Sequence, residues 1–275
     1  MAWEAFSRQS DFLVCVDSDG CVMDSMEWKH RECFGPELVR AYRLESLEAQ
    51  VLELWNRVNL YSGTRGCNRF LAAVLVLDEL SESGLYTRDY GAFKAWAQSA
   101  DELSNPSLRA AIQENEAPAL ATAYAWSLAV NEGIRGAGYG ARPFENAGAA
   151  LVLAAQCADV VVVSSANRGA VVEEWTEAGF MPHVRLLCTQ EYGSKADCIA
   201  KLLTYGYAPE RVLMVGDAPG DAKAADSNGV WFYPVLPGRE AGSWRDMPSA
   251  GLEPLLAGSF AAGQAALLEA FAAAL

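Results

Sequence analysis

Short apolar segments of this chain are repeatedly followed at once by polar residues. The four clearest segments are 12–16, 160–163, 184–187 and 212–215. Apolar runs of this length, bounded by turn residues, are typical of strands buried on both faces of a parallel sheet. Segments with helical periodicity accompany the later strands, at 143–156, 169–179, 194–206 and 218–228. Strands that alternate with helices predict an α/β fold, a doubly wound parallel sheet with right-handed crossovers.

A long insertion separates the first predicted strand from the second. Asp17 and Ser164, which follow these strands, are about 150 residues apart, whereas a βαβ unit needs only about 30 residues. Helical periodicity fills the gap, at 38–60, 69–80, 88–100 and 117–130. We therefore predict an α/β core domain formed by residues 1–20 and 142–275, and an inserted all-helical domain at residues 21–141.

The insertion has features of an independent unit. We expect its aromatic residues to form a small core of their own, in particular Trp55, Trp96, Tyr124 and Trp126. A glycine-rich stretch at residues 133–143 predicts a return linker and a hinge. The final residues, 260–275, are rich in alanine and leucine and predict a packing helix.

Composition limits the classes of partner. The chain has 275 residues, is 52% hydrophobic and carries a formal net charge of −14, so it can bury a sizeable core and has no general affinity for nucleic acid or an anionic membrane. The apolar run near residues 151–163 is interrupted by Gln156 and Asp159 and is too short for a membrane span. A phosphorylated ligand remains compatible, because a metal and a few cations can reverse the field in one cleft.

Cysteine and histidine usage favours a cytoplasmic protein without a zinc site. The seven cysteines are scattered without CxxC spacing, and the N-terminus lacks the apolar core of a signal peptide. We therefore expect reduced thiols in the cytoplasm. Two histidines, His30 and His183, are too few for a typical zinc centre.

The first predicted strand runs into the turn Asp17-Ser18-Asp19-Gly20. Chemistry in open α/β sheets collects at the carboxyl ends of strands. Two carboxylates at such a position can have different catalytic roles, since one can attack or bind a metal while the other transfers a proton. A purely structural acidic turn is the alternative. A calcium loop is excluded by spacing, because its glycine is the sixth residue and Gly20 is the fourth.

Two further strand ends carry weaker signals. Ser164, Ser165 and Asn167 follow the second strand, where a hydroxyl and backbone N–H groups can bind a phosphate oxygen, although serine there also caps helices. Lys195 lies at the start of a predicted helix, where the helix dipole disfavours a cation. A functional lysine and a solvated surface lysine are both compatible with that position.

The last strand end contains Gly216-Asp217-Ala218-Pro219-Gly220-Asp221. Asp217 and Asp221 are four residues apart, so both can face one cleft from a single turn. Carboxylate oxygens together with water suit Mg²⁺. A capped helix start is the structural alternative.

Taken in chain order, these motifs resemble the four motifs of the haloacid dehalogenase superfamily of phosphohydrolases. The match consists of Asp17-Ser-Asp19-Gly20, Ser164, Lys195 and Gly216-Asp217-x-x-x-Asp221, and it covers residues 1–25 and 142–235. The resemblance implies a Rossmann-like core with a mobile helical cap inserted between the first and second motifs. The insertion is large and no proline follows the lysine, so the subfamily stays open.

The resemblance also implies roles for the motif residues. Asp17 would be the nucleophile and Asp19 the general acid and base, while Ser164 and Lys195 would hold the phosphoryl oxygens. Mg²⁺ would be bound by Asp17, the backbone carbonyl of Asp19, Asp217 and, directly or through water, Asp221.

The expected function is a magnesium-dependent phosphatase that acts on a small phosphorylated metabolite, as a monomer or homodimer. Asp19 argues against carbon–halogen and phosphonate cleavage, whose enzymes do not need an acid there. A sugar phosphomutase and a non-catalytic binding protein of the same fold are the alternatives. In the insertion we expect substrate contacts from His30, Arg65, Gly66 and Arg69. The competing interpretation is that His30, Arg65 and Arg69 are solvated charges on helices.

Overall fold

The computed structural model describes residues 3–137 and 142–275. Its strands are β1 Leu13–Val16, β2 Met23–Asp24, β3 Arg142–Pro143, β4 Asp159–Val163, β5 Leu186–Cys188, β6 Val212–Gly216 and β7 Trp231–Pro234. Five of them form a parallel sheet in the order β5-β4-β1-β6-β7, while β2 and β3 form a short antiparallel pair. The central strand is β1, whose Val16 pairs with Val162 of β4 and with Val215 of β6. The predicted parallel α/β sheet is confirmed.

Alternate residues of the strands face two separate helical layers. Val14, Val160 and Leu213 belong to one hydrophobic cluster, whereas their neighbours Cys15 and Val161 belong to another. This follows from the period of two in a strand, which points successive side chains to opposite faces. Both faces are covered by helices, so the apolar strands are buried throughout, as the doubly wound arrangement requires.

The helices differ from the predicted ones mainly in the insertion. They are α1 Met26–Trp28, α2 Gly35–Tyr42, α3 Glu48–Leu60, α4 Arg69–Glu82, α5 Gly91–Ser99, α6 Asn105–Glu114, α7 Pro118–Gly136, α8 Ala147–Cys157, α9 Arg168–Glu177, α10 Lys195–Leu203, α11 Pro219–Ser227, α12 Glu240–Met247, α13 Glu253–Leu256 and α14 Ala261–Ala274, with π-helical turns at Lys29–Phe34 and Pro248–Leu252. The prediction of one helix over residues 38–60 is wrong, because Arg43 adopts a left-handed conformation (φ 56°) that ends α2.

The chain forms two compact units. One contains the described residues 3–25 and 142–275, and the other contains residues 26–137. Residues 21–25 lie with the first unit because Cys21, Val22 and Met23 are fully buried in the cluster on one face of its sheet.

The second unit has its own hydrophobic core. Trp55, Trp126, Phe70 and Phe93 are buried in it, and the indole nitrogen of Trp126 donates a 3.2 Å hydrogen bond to the Phe34 carbonyl. The predicted aromatic core of the insertion is thereby confirmed, with Trp96 and Tyr124 half-buried at its edge.

The predicted glycine-rich linker at residues 133–143 is only partly described. Helix α7 continues through Gly136, so the first part of the segment is helical. Residues 138–141, on which the predicted hinge rests, lie outside the described residues. None of the helices in the described chain has the length and apolar character needed to cross a bilayer.

Candidate active site

The turn after β1 is held by a dense set of backbone hydrogen bonds. Asp17 is buried, and its amide donates a 3.0 Å hydrogen bond to the carbonyl of Val215 on β6. The Ser18 carbonyl then accepts hydrogen bonds from the amides of residues 21, 22 and 23, at 3.3, 3.0 and 2.9 Å. Gly20 has a φ of 78°, which glycine adopts without the steric cost of a side chain. The Asp-x-Asp-Gly sequence therefore folds into a fixed turn at the carboxyl end of the central strand.

Asp19 lies two residues further along this turn and is half-buried. The Ser25 hydroxyl, which is fully buried, donates a hydrogen bond to Asp19 Oδ1. A hydrogen bond to one carboxylate oxygen restricts rotation of the group.

Asp217 and Asp221 follow β6 and approach Asp17. One side-chain oxygen from each of the three carboxylates lies within 4.8 Å of the others, and all three residues are buried. Asp221 Oδ2 accepts a 3.0 Å hydrogen bond from the amide of Ala218. Gly216 permits this arrangement, because a Cβ at that position would lie 2.4 Å from the Asp221 side chain. The expectation that Asp217 and Asp221 face one site is confirmed.

Lys195 is the cation of this group. Its Nζ lies 2.8 Å from Asp17 Oδ2 and 2.5 Å from Asp221 Oδ1, with 14% of the side chain exposed. It is the first residue of α10, whose N-terminus is closed by a capping box between Ser194 and Asp197. The lysine that the sequence places against the helix dipole is thus paired with two buried carboxylates and is not a solvated surface charge.

The pKa shifts indicate a crowded negative site. Burial raises the pKa of Asp17; Lys195 opposes this change, and Asp221 and Asp217 raise the pKa further. Burial alone would lower the pKa of Lys195, but Asp17 and Asp221 outweigh it and raise the pKa above the usual range. Burial also raises the pKa of Cys21, and the same three carboxylates add to it. The negative field therefore persists in the presence of the lysine.

The donor set fits a hard divalent cation. Three carboxylates and one ammonium leave a formal charge of about −2 when all are ionised, which a divalent ion would neutralise. Carboxylate and carbonyl oxygens are the ligands that Mg²⁺ prefers, and no nitrogen or sulfur ligand belongs to the group. The residues present thus suit the predicted magnesium ion.

The second motif lies at the carboxyl end of β4, the neighbour of β1. Ser164 is buried, and its hydroxyl accepts a 3.2 Å hydrogen bond from the amide of Ala166. Ser165 and Asn167 are exposed. Asn167 caps α9, since its Oδ1 accepts a 3.0 Å hydrogen bond from the amide of Ala170. The structural role that the sequence suggested for serine at this strand end therefore belongs to Asn167.

The four insertion residues are found in the second unit. Arg65 is buried and donates a 3.0 Å hydrogen bond to the Leu60 carbonyl, and Gly66 beside it is exposed. Arg69 is half-buried, with its guanidinium 4.8 Å from the centre of the Phe34 ring. His30 is stacked on the same ring at 4.7 Å. The side chains of His30 and Arg65 are buried and that of Arg69 is half-buried, so none of the three is a fully solvated charge on a helix.

Two residues that support the first motif were missed in the sequence. Trp175 of α9 donates a 2.8 Å hydrogen bond from its indole nitrogen to the Ser18 hydroxyl, and Trp244 of α12 donates one of 2.7 Å to the Cys21 carbonyl. Both indoles are buried. No local signal identifies them, because they lie more than about 150 residues from the turn they contact.

Comparison with known proteins supports the fold. No model of a known protein family matches the chain, and no curated protein matches it. The structure is similar to that of a haloacid dehalogenase-like family hydrolase from Xanthomonas campestris, with 13% sequence identity, coverage of 92% of this chain and 97% of that chain, and a TM-score of 0.52. This similarity shows that the chain has the haloacid dehalogenase-like fold, as its motifs predicted.

Two other solved structures are similar over less of the chain. A predicted phosphoglycolate phosphatase from Haemophilus somnus is 15% identical, with coverage of 82% of this chain and 86% of that chain and a TM-score of 0.47. A haloacid dehalogenase-like family hydrolase from Streptococcus pneumoniae is 14% identical, with coverage of 81% and 83% and a TM-score of 0.39.

Proposed function

We propose that this protein is a magnesium-dependent phosphatase that hydrolyses a small phosphorylated metabolite through an aspartyl-phosphate intermediate. The observation that supports this most is the buried group of Asp17, Asp217, Asp221 and Lys195 at the carboxyl ends of β1 and β6. A nucleophilic carboxylate must approach a phosphate dianion of like charge. Positive charge held at that point is therefore the main requirement for the reaction.

The metal would be held by the chain's own oxygen atoms. We assign Asp17, Asp217 and the backbone carbonyl of Asp19 as direct ligands. Asp221 has both carboxylate oxygens engaged, with Lys195 and the Ala218 amide, so we assign it a contact through water. When bound, Mg²⁺ supplies charge neutralisation between carboxylate and phosphate and polarises the phosphoryl oxygens.

The chemical steps follow from the two acids of the first turn. A carboxylate oxygen of Asp17 attacks phosphorus while the bond to the ester oxygen breaks, and Asp19 donates a proton to that oxygen so that it leaves as an alcohol. Water then attacks the aspartyl-phosphate, its proton passes to Asp19, and the bond between phosphorus and Asp17 breaks. Lys195 and Ser164 hold the non-bridging oxygens during both steps.

Asp19 favours phosphate esters over the other substrates of this fold. An alkoxide is a poor leaving group and needs a proton, whereas a halide leaves without one. The Ser25 hydroxyl donates a hydrogen bond to Asp19, which orients this carboxyl group for proton transfer.

We assign substrate selection to the inserted helical unit, with Arg65 as its principal contact and Arg69, Gly66 and His30 beside it. Buried or half-buried cationic side chains suit a metabolite that carries a second polar or anionic group. We place the enzyme in the cytoplasm, in agreement with its scattered cysteines, and assign it no nucleic-acid or membrane partner.

The test is release of inorganic phosphate from a panel of small phosphomonoesters, with magnesium and with excess chelator. We expect release that needs magnesium and is abolished in Asp17→Asn. That variant should keep the wild-type circular dichroism spectrum, since the amide has nearly the volume of the carboxyl group. Activity in excess chelator would contradict the metal assignment. Near-normal activity of Asp17→Asn would contradict the nucleophile.

Three measurements separate the alternatives. Transfer of phosphate between hydroxyls of a sugar phosphate, without net release, would identify a mutase. Halide release from a 2-haloacid in the presence of chelator would identify a dehalogenase. Binding of the panel without turnover would identify a non-catalytic protein.

A further inference from the structure

We propose that Trp175 is a positioning residue, which acts through Ser18 to hold Asp17 and Asp19 in register for proton transfer to the leaving group. The proposal rests on the proposed function and adds a residue to it. Its basis is the 2.8 Å hydrogen bond from the Trp175 indole nitrogen to the Ser18 hydroxyl, with both residues fully buried.

Ser18 is the structural centre of the acidic turn. It lies between the two acids in the sequence, and its carbonyl accepts the three amides of residues 21–23. Its hydroxyl accepts the hydrogen bond by which Trp175 of α9 holds this turn. Asp17 is also held by its amide hydrogen bond to Val215 of β6 and by its ion pair with Lys195, so a shift or rotation of Ser18 changes the position of Asp19 relative to Asp17.

The Trp175 indole is fixed by its surroundings. It packs edge-to-face on Phe180, with ring centroids 6.0 Å apart, in the cluster that covers one face of the sheet. A buried indole N–H needs a hydrogen-bond partner, and here that partner is a side-chain hydroxyl in the turn. A phenyl ring could also pack in this cluster, but it would have no N–H to donate to the turn.

The step most sensitive to this contact is departure of the alcohol. In that step the bond between phosphorus and the ester oxygen breaks while Asp19 delivers its proton to that oxygen. Proton transfer needs the two oxygens within about 2.6–3.2 Å, and a displacement of about 1 Å can reduce the rate by about a hundredfold. Attack by Asp17 on an activated ester, whose leaving group needs no proton, depends less on the placement of Asp19.

The experiment compares Trp175→Phe with wild type on two esters in the presence of magnesium: an alkyl phosphate that the wild type hydrolyses, and p-nitrophenyl phosphate. The value of kcat/KM is used because it reports the step in which the leaving group departs. We expect a loss of about tenfold or more for the alkyl ester and less than about twofold for the aryl ester. A tenfold loss corresponds to about 1.4 kcal/mol of transition-state stabilisation, within the range for a lost buried hydrogen bond.

A matched control removes another indole hydrogen bond. The Trp231 nitrogen donates a 3.0 Å hydrogen bond to the Glu210 carbonyl, and Trp231→Phe should lower kcat/KM for both esters by less than about twofold. Ser18→Ala removes the same contact as Trp175→Phe from the acceptor side, and it serves if Trp175→Phe does not fold. If Trp175 and Ser18 act through their common hydrogen bond, the Trp175→Phe, Ser18→Ala double variant should lose about as much activity as the more affected single variant.

Four outcomes would overturn the proposal. Equal losses for the two esters would show that Trp175 only packs, and unchanged rates for both would show that the hydrogen bond has no role. Strictly multiplicative losses in the double variant would show that Trp175 and Ser18 act separately. A wild-type protein that releases no phosphate from any ester would overturn the proposed function and this proposal with it, and that result is obtained before any variant is made.

Discussion

Replacement of Lys195 by methionine tests the electrostatic balance of the site independently of catalysis. Methionine keeps much of the side-chain length and removes the charge that lies 2.8 Å from Asp17 and 2.5 Å from Asp221. One carboxylate oxygen from each of Asp17, Asp217 and Asp221 lies within 4.8 Å of the others, and in the variant the Lys195 charge no longer offsets their repulsion. Two unit charges at that distance repel by about 3 kcal/mol at an effective dielectric constant of about 20. We expect the free energy of unfolding to fall by about 3 kcal/mol at pH 8 in the presence of chelator, as for other broken buried ion pairs.

The loss should depend on pH with a definite sign. Burial, Asp221 and Asp217 all raise the pKa of Asp17, and the variant lacks the lysine that opposes them. A carboxyl group whose pKa is raised by folding binds protons more tightly in the folded state. Its stability contribution is therefore most favourable below the unfolded pKa, about 4, and is lost as the pH rises from there through the folded pKa. The stability difference between wild type and Lys195→Met should be small near pH 4.5 and largest near pH 8.

Urea denaturation at several pH values, with and without magnesium, measures this difference. Magnesium should stabilise Lys195→Met more than wild type, since the variant site is more negative. Lys223→Met, on the exposed face of α11, is the control for loss of a lysine and should stay within about 0.5 kcal/mol of wild type. A difference that does not change with pH, or a variant as stable as wild type at pH 8, would refute the reasoning.

Three other substitutions test separate parts of the structure. Gly216→Ala should weaken magnesium binding by about tenfold or more, because the new methyl group would lie 2.4 Å from Asp221; calorimetric titration with the metal checks this, and unchanged affinity would count against the site. Asp159→Ala should lower the free energy of unfolding by about 2–4 kcal/mol, because two backbone amides and the Tyr207 hydroxyl lose their acceptor; a loss below about 1 kcal/mol in urea denaturation would contradict it. Arg65→Ala should reduce kcat/KM for the metabolite far more than for a small generic phosphoester, and equal reductions would place Arg65 at the phosphate itself.

The sheet and the four motifs were predictable because the signals are local. Four buried strands appear as short, largely apolar segments, with Arg185 the one charged residue among them. Their polar ends meet because parallel strands present their carboxyl ends at one edge. The fifth strand was missed. Trp231–Pro234 lies at the edge of the sheet and ends in proline. Residues 230–233 are apolar, but the proline that follows them usually argues against a central strand.

The supporting contacts were not predictable because they join distant parts of the chain. Ser25, Trp175 and Trp244 hold the acidic turn through hydrogen bonds, and the indoles come from helices far along the sequence. The break at Arg43 was also missed, since a left-handed arginine leaves no mark in hydrophobic periodicity. The pairing of Lys195 with two carboxylates required the three-dimensional distances, although its unusual position at a helix start hinted at a role.

The central position of β1 has a consequence for synthesis on the ribosome. Leu13–Val16 is made first, but its neighbours β4 and β6 begin at Asp159 and Val212. At about 5–20 residues per second, this apolar strand waits roughly 10–30 s for β4 and longer for β6. The inserted unit, whose hydrophobic core comes from its own residues, is completed during that interval. The nascent chain therefore carries an unpaired apolar strand while the helical unit is completed, and such exposed strands are prone to aggregation.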